Sequence, residues 1–289
     1  MIPFELAEPK TLREAVALLD TDDPGVRPIA GGTALMLMMK AGVFQPSRLI
    51  SLGKIEKQFS TIYMSVSGEL RIGAMTPLSA LESSPDVRAA FPVIAETLRT
   101  LANVRVRNVA RVGGALAHGD PHMDLPPLLS VLGARAVVVG PSGSREIAVE
   151  QLYSGYYLTV LEPNELIAEV IVPPQGARRL AYFKYTTRTA DDWPALGIAV
   201  SLNTDGRMIR DAKVVISAAT EKVTRLPQAE KVLAGAAIED VTLQRAGEAA
   251  VAETTLIADA RGSAIYKQQL LRACIGRAIR MALTNGVGK

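Results

Sequence analysis

Two glycine pairs, Gly31-Gly32 and Gly113-Gly114, constrain this chain more than any other feature of its sequence. Each pair is predicted to form a loop between a strand-like segment and small or apolar residues, where backbone N–H groups can surround a pyrophosphate. Glycine permits this approach because it has no side chain, and Thr33 can add a hydroxyl donor where the next helix starts. One such pair is usually a plain turn. Two pairs together favour a nucleotide-binding fold.

Neither loop matches the G-x-G-x-x-G fingerprint of Rossmann dehydrogenases or the G-x-x-x-x-G-K-[ST] pattern of P-loop NTPases. A nucleotide fold of another kind is therefore required. The net charge is only +3 and the basic residues are scattered, which argues against a nucleic-acid partner. The single cysteine, Cys274, can neither form an internal disulfide nor hold an iron–sulfur cluster, which needs several cysteines. We expect Cys274 to be a small buried residue.

With 289 residues, the chain exceeds the usual size of a single core, so two or three packed lobes are expected. Its composition, 48% hydrophobic and 21% charged, is that of a globular protein and argues against a disordered chain. The longest apolar stretch, residues 29–39, is interrupted by glycines and is too short to cross a bilayer. Because the N-terminus also lacks the pattern of a secretory signal, a cytoplasmic location is expected.

Hydrophobic periodicity predicts a mixture of helices and strands. A small βαβ-like lobe opens the chain, with a helix over 11–19 capped by Thr11, a strand over 26–30, an apolar helix ending at Lys40 and a strand over 48–52. The next part is predicted to contain a hairpin over 61–72, helices at 77–81, 92–101 and 125–132, and strands at 134–139, 146–149 and 166–172. The last part is predicted to contain antiparallel strands at 181–187, 195–203 and 208–218, a turn at Asp205-Gly206 and three helices, the last over 264–284.

Three motifs in this order and spacing resemble the markers of a known family, the flavin subunits of molybdenum hydroxylases. They are Ala30-Gly31-Gly32-Thr33, then Val106-Arg107-Asn108 with Arg111-Val112-Gly113-Gly114, and then Asp120-Pro121 with Asp124-Leu125-Pro126-Pro127. The similarity continues through Ile72–Thr76, Tyr182-Phe183-Lys184, Ala195–Ala199 and Asp259–Tyr266. The similarity therefore covers nearly the whole chain. The family includes the flavin subunits of the xanthine dehydrogenase and carbon monoxide dehydrogenase types.

The resemblance implies an α+β fold with a two-lobed FAD-binding domain of the vanillyl-alcohol-oxidase-like (PCMH) type. Lobe 1 would comprise residues 1–55 and lobe 2 residues 56–175, with FAD bound between them. A C-terminal α+β domain with a small antiparallel sheet and helices would comprise residues 176–289. The boundary is expected at Pro173–Ala177, where prolines and a glycine interrupt the chain.

The resemblance also implies a set of FAD-binding residues and no catalytic residue. Ala30–Ala34 and Gly113-Gly114 would hold the pyrophosphate, Asp124 would bond the nucleotide, and Ile167 would lie near the ring system. Lys184 and Asp191 match positions close to the isoalloxazine, where a cation can stabilise negative charge on the reduced ring. The full set is Ile29, Ala30, Gly31, Gly32, Thr33, Ala34, Leu35, Ala102, Arg111, Val112, Gly113, Gly114, Ala115, Asp120, Asp124, Ile167, Lys184 and Asp191.

This sequence departs from the family at two of these positions. Arg111 stands where the family usually has Thr or Ser, and Ala115 where it usually has Asn or Ser. Two side-chain hydrogen bonds to FAD would then be lost and binding weakened. Arg111 can instead pair with a phosphate, for which its fork geometry is suited, or face the surface.

The resemblance implies that electrons enter from an iron–sulfur small subunit, reduce FAD and leave to an external acceptor. Hydroxylation would occur on a molybdenum-cofactor large subunit, within a heterotrimer or its dimer. Two alternatives stay open, a nucleotide-binding module without redox chemistry and a free-standing FAD oxidase. The oxidase would need its own substrate base, and the sequence offers no convincing candidate because both histidines lie in the predicted cofactor loop.

The run His118-x-Asp120-x-His122-x-Asp124 also requires a metal interpretation, since imidazole and carboxylate groups bind zinc or iron. Pro121 excludes a regular helix here, so all four side chains would share one side only in an extended strand. The resemblance explains Asp120, Pro121 and Asp124 without a metal. No metal ligand is therefore predicted.

Overall fold

The computed structural model describes residues 3–285, so residues 1 and 289, the predicted outer limits of the domains, lie outside it. The N-terminal part is a parallel sheet in the order β1-β3-β2 with two helices. Thr11 caps the first helix as predicted, because its hydroxyl accepts a hydrogen bond from the N–H of Glu14 at 3.1 Å. The elements are β1 (Glu5–Ala7), α1 (Leu12–Leu18), β2 (Val26–Ile29), α2 (Leu35–Lys40) and β3 (Arg48–Ser51).

A five-stranded antiparallel sheet in the order β4-β5-β10-β6-β7 forms the middle part. The predicted hairpin over 61–72 is confirmed, because β4 pairs with β5. The elements are β4 (Ile62–Met64), β5 (Leu70–Gly73), α3 (Leu78–Ser83), α4 (Pro85–Ala90), α5 (Pro92–Arg99), α6 (Val104–Val109), α7 (Val112–Ala117), α8 (Leu125–Val131), β6 (Arg135–Gly140), β7 (Gly143–Ala148), β8 (Tyr153–Gly155), β9 (Leu158–Thr159) and β10 (Leu166–Val172).

The prediction of a loop at Gly113-Gly114 is wrong. Both glycines lie in the first turn of α7, and the segment before them is α6 instead of a strand. Two contacts with the β5 region fix this turn, because the N–H groups of Val112 and Gly113 donate to the carbonyls of Thr76 and Ala74. Gly113 is required for this approach, since a Cβ there would lie 2.7 Å from the Cβ of Ala74.

The C-terminal part is an antiparallel sheet in the order β11-β12-β13-β14, with β15 paired to β13, and three helices. The predicted strands and helices are confirmed, and Asp205 pairs with Met208 across the predicted turn, where Gly206 has a φ of +56°. The elements are β11 (Arg179–Tyr185), β12 (Leu196–Asp205), β13 (Met208–Ser217), β14 (Thr224–Arg225), α9 (Pro227–Leu233), β15 (Ala236–Ala237), α10 (Asp240–Ala252) and α11 (Ala264–Asn285).

The two faces of this last sheet bury different cores. Tyr182, Ala199 and Val215 belong to the apolar core of the middle part, together with Leu125 and Leu128 of α8. The opposite face packs with α9, α10 and α11 through Ala181, Ile198, Val200, Val214, Ile216, Leu271, Ile275 and Ile279. Because side chains alternate along a strand, one sheet can join the two parts. The fold is α+β as predicted, whereas the domain bounds stay a prediction.

Across residues 3–285, no helix combines the length and the apolar character that crossing a membrane requires.

Candidate functional site

The two glycine segments predicted to act together lie against each other. A Cβ placed on Gly31 would overlap the carbonyl oxygen of Val109, which immediately precedes the segment leading into α7. A Cβ placed on Gly114 would lie 3.7 Å from the Cβ of Ala30. The end of β2 and the start of α7 therefore form one surface.

A run of unsatisfied backbone donors lies on this surface. Gly32 has a left-handed φ of +68° and precedes α2, whose N-cap Ala34 makes no side-chain capping bond. Within residues 3–285, no protein acceptor receives the N–H groups of residues 32–35. The predicted donor Thr33 lies in this run, just before the N-cap. Consecutive free N–H groups around a left-handed glycine form a concave site that suits an anion.

The first turn of α7 adds a further donor. The N–H groups of Val112, Gly113 and Ala115 donate to protein carbonyls, so Gly114 alone among these four has no acceptor within the described part of the chain. Gly114 is also exposed. The Nε of Arg111, the N-cap residue, is buried without a hydrogen-bond partner, and burial lowers the pKa of this guanidinium. These donors fit the diphosphate of a nucleotide cofactor.

A buried ion pair joins two other predicted residues, Asp124 and Lys184. The Lys184 Nζ donates to the Oδ2 of Asp124 at 2.8 Å and to the carbonyl of Thr100 at 2.8 Å. The hydroxyl of Tyr182 donates to the Oδ1 of Asp124 at 2.6 Å. Burial raises the pKa of the Asp124 carboxyl, while Lys184 and Tyr182 oppose this effect. Tyr182 and Lys184 reach Asp124 together because they lie two residues apart on β11.

The remaining predicted residues lie around these two groups. Ala102, with a left-handed φ of +53°, follows Thr100, whose carbonyl binds Lys184. Ile167 is buried in β10, beside a register shift in its pairing with β6. Asp191 lies exposed in the loop between β11 and β12, where a hydrogen bond from Thr189 lowers the pKa of its carboxyl. Ile29 closes β2, beside Ala30.

Asp120 belongs to a different group from Asp124. Its Oδ1 accepts the backbone N–H of His122 and lies 2.9 Å from the ring Nδ1 of the same residue. The His118 ring instead packs edge-on against Tyr157. Within the described range, His, Cys, Asp and Glu side chains nowhere gather in threes suited to a metal ion, so the metal interpretation gains no support.

Three residues take part in the contacts of Asp124 and His122 but were not predicted as site residues. They are Tyr182, Asp259 and Lys267. Asp259 contacts both His122 and Lys267, and Lys267 is fully buried. Lys267 occupies a buried position of α11 in line with Leu271 and Cys274. A lysine on an apolar helix face signals a buried charge that needs a partner, although not which partner.

Comparisons with known proteins find similarity over nearly the whole chain. A family model described as the FAD binding domain in molybdopterin dehydrogenase matches residues 2–175. A second, described as the CO dehydrogenase flavoprotein C-terminal domain, matches residues 181–282. The chain is 34% identical to the carbon monoxide dehydrogenase medium chain of Hydrogenophaga pseudoflava, over 98% of each chain. It is 32% identical to the nicotine 6-hydroxylase medium subunit of Paenarthrobacter nicotinovorans, over 94% of this chain and 95% of the other.

Solved structures show the same similarity. A carbon monoxide dehydrogenase chain from Hydrogenophaga pseudoflava superposes with a TM-score of 0.93 at 35% identity, covering 98% of this chain and 99% of its own. A chain of quinoline 2-oxidoreductase from Pseudomonas putida 86 gives a TM-score of 0.92 at 28% identity, covering 99% of both chains.

Proposed function

Because this chain belongs to the family of FAD-binding domains of molybdopterin dehydrogenases, we propose that it is the FAD-binding, electron-transferring subunit of a heteromeric molybdenum hydroxylase. The family identified from the sequence is thereby confirmed, and FAD is its cofactor. Similar proteins are medium subunits of dehydrogenases and hydroxylases that act on different substrates.

One observation carries the proposal: in the described part of the chain, the N–H groups of residues 32–35 have no protein acceptor, and neither has the nearby N–H of Gly114. These N–H groups lie at half-buried or exposed residues, so a ligand can reach them. The diphosphate of FAD has the charge and the acceptor oxygens for this role. The glycines keep the surface free of side chains at the point of contact.

The chain's own residues would bind, orient and electrostatically bias the cofactor. FAD, when bound, supplies the redox chemistry that accepts and passes on electrons. The Lys184 ammonium, neutralised in part by Asp124, would supply positive charge near the ring, with Ile167 and Asp191 contributing contacts. Arg111 would replace a hydroxyl donor with a guanidinium at the diphosphate.

The partners follow from what this chain cannot supply. Its single cysteine is insufficient for an iron–sulfur cluster, so a separate small subunit would deliver electrons to FAD. A large subunit would carry the molybdenum cofactor, in a heterotrimer or its dimer, and an external acceptor would remove the electrons. The expected location is the cytoplasm.

FAD titration of the purified full chain, alone and with its co-purified subunits, tests the proposal. We expect a yellow protein that releases FAD on denaturation and whose flavin is reduced only when the partner subunits and their substrate are present. Uptake of ADP without any flavin would favour a non-redox nucleotide module. Substrate oxidation by the isolated chain would favour a free-standing oxidase.

A further inference from the structure

A line of polar contacts passes from the segment 120–124 into the C-terminal part through His122. The ring Nδ1 of His122 lies 2.9 Å from the Oδ1 of Asp120, and its Nε2 lies 2.8 Å from the Oδ2 of Asp259. The ammonium of Lys267 donates to the same Asp259 oxygen at 2.7 Å. His122 and Lys267 are buried, so water does not compete strongly for these contacts.

A second contact joins segment 120–124 to the C-terminal part. The N–H of Ala218 donates to the carbonyl of Pro121 at 2.8 Å, and the Ala218 carbonyl accepts from Lys267 at 2.8 Å. Ala218 has a φ of +66°, a left-handed conformation that residues other than glycine rarely adopt. Such a conformation persists only where the surrounding contacts hold it in place. Lys267 therefore braces both Asp259 and Ala218.

The segment 120–124 is thus held at both ends by the C-terminal part. Asp259 and Ala218 hold the end with His122, and Lys184 holds Asp124, two residues further on. If the link from His122 to Asp259 is lost, the Ala218–Pro121 bond is the hydrogen bond that still joins this end to the described C-terminal part. The carboxylate of Asp124, and with it the ammonium of Lys184, would then gain freedom of movement.

We propose that His122 is a positioning residue, which fixes the Asp124–Lys184 ion pair relative to the cofactor by linking it to Asp259. The effect of the Asp124–Lys184 ion pair on the cofactor rests on the function proposed above. The effect of His122 on the position of segment 120–124 rests only on the contacts within this chain. An experiment can therefore test the two steps separately.

Two substitutions of His122 separate its two contacts. The amide nitrogen of asparagine lies close to the position of Nδ1, whereas that of glutamine reaches the position of Nε2. His122→Gln therefore keeps a donor toward Asp259, while His122→Asn keeps one only toward Asp120. His118→Gln is the matched control, because His118 is the only other histidine and packs against Tyr157, which contacts Asp120. Within residues 3–285, the His118 ring makes no contact with Asp259 like that of His122.

The first measurement is hydrogen exchange at the N–H of Ala218 in the full chain without FAD. Losing a hydrogen bond to a charged group is expected to speed exchange by about tenfold or more in His122→Asn. His122→Gln and His118→Gln should exchange like the native chain. Equal exchange in His122→Asn and His122→Gln would overturn the link through Asp259. If His122→Asn does not fold, Asp259→Asn, which weakens the other end, should show the same acceleration.

The second measurement is the visible circular dichroism of bound FAD, which reports the surroundings of the ring. We expect the bands to shift in His122→Asn and to be retained in His122→Gln, a distinction that a general loss of stability would not produce. Unchanged bands in a folded His122→Asn variant would refute the positioning role. A further outcome is that neither the native chain nor the variants bind FAD, although hydrogen exchange at Ala218 follows the expected pattern. The proposed function would then fail, whereas the link from His122 to Asp259 would be supported.

Discussion

Substituting Gly114 with alanine should separate cofactor binding from folding. The new Cβ would lie 3.7 Å from the Cβ of Ala30, an ordinary van der Waals contact, and Gly114 does not have a left-handed φ. Alanine favours a helix over glycine by about 0.5–1 kcal/mol, so the free energy of unfolding should stay equal or rise. The methyl group would nevertheless project beside the Gly114 N–H, which has no protein acceptor among residues 3–285.

The expected cost is one hydrogen bond from that N–H to a charged phosphate. Such a bond contributes about 1.5–3 kcal/mol, so the dissociation constant for FAD should rise by about ten- to 150-fold. Quenching of flavin fluorescence measures the binding, and thermal unfolding without FAD measures the stability.

Two further glycine substitutions serve as controls. Gly53→Ala, where a Cβ meets only the Oγ of Ser51 at 3.6 Å, should change neither quantity. Gly113→Ala should lower stability, because its Cβ would meet the backbone oxygen of Ala74 at 3.1 Å. A folded Gly114→Ala variant that binds FAD as tightly as the native chain would refute the assignment of this turn to the diphosphate.

Lys184→Met leaves Asp124 buried without its cation, so urea unfolding should show a loss of about 3–5 kcal/mol at neutral pH. Because burial raises the pKa of Asp124 above 3.8, this deficit should shrink as the pH falls toward that pKa. Despite burial, the hydrogen bond from Lys267 helps to bring the pKa of Asp259 down to about 2. The stabilisation by the Asp259 carboxylate is therefore complete above pH 3.8 and is lost as the pH falls through about 2. In Asp259→Asn, the free energy of unfolding should change less over this pH range than in the native chain. Burial raises the pKa of the Cys274 thiol, so a thiol reagent should label it slowly in the native chain and rapidly after unfolding.

Local patterns predicted most of the elements. Thr11 caps α1 because its hydroxyl and the following N–H groups are close in sequence, so no long-range information is needed. The strands β12 and β13 were predicted on either side of the hairpin turn at Asp205-Gly206. For the site, the order of the motifs led to the family, and the structure then brought Gly31 beside the segment that leads to Gly114.

Long-range contacts explain what the sequence could not predict. A glycine pair favours a turn, yet Gly113 enters a helix because the carbonyl of Ala74, far away in sequence, accepts its N–H. The link from His122 to Asp259 spans 137 positions, and no periodicity connects them. Lys267 was not predicted as a site residue, because its partners depend on how α11 packs on the sheet.

In the proposed site, the C-terminal part supplies the side chains that bond Asp124. Tyr182 belongs to the apolar core of the middle part, and its hydroxyl and the Lys184 ammonium contact opposite oxygens of Asp124. A carboxylate this deeply buried is stable only with such partners, and β11 supplies both side chains that provide them. Because α8 begins directly after Asp124, the same residues also fix the start of that helix. The charge expected near the flavin ring is therefore set by the docking of β11, and a change in that docking would alter both the flavin site and the stability of the fold.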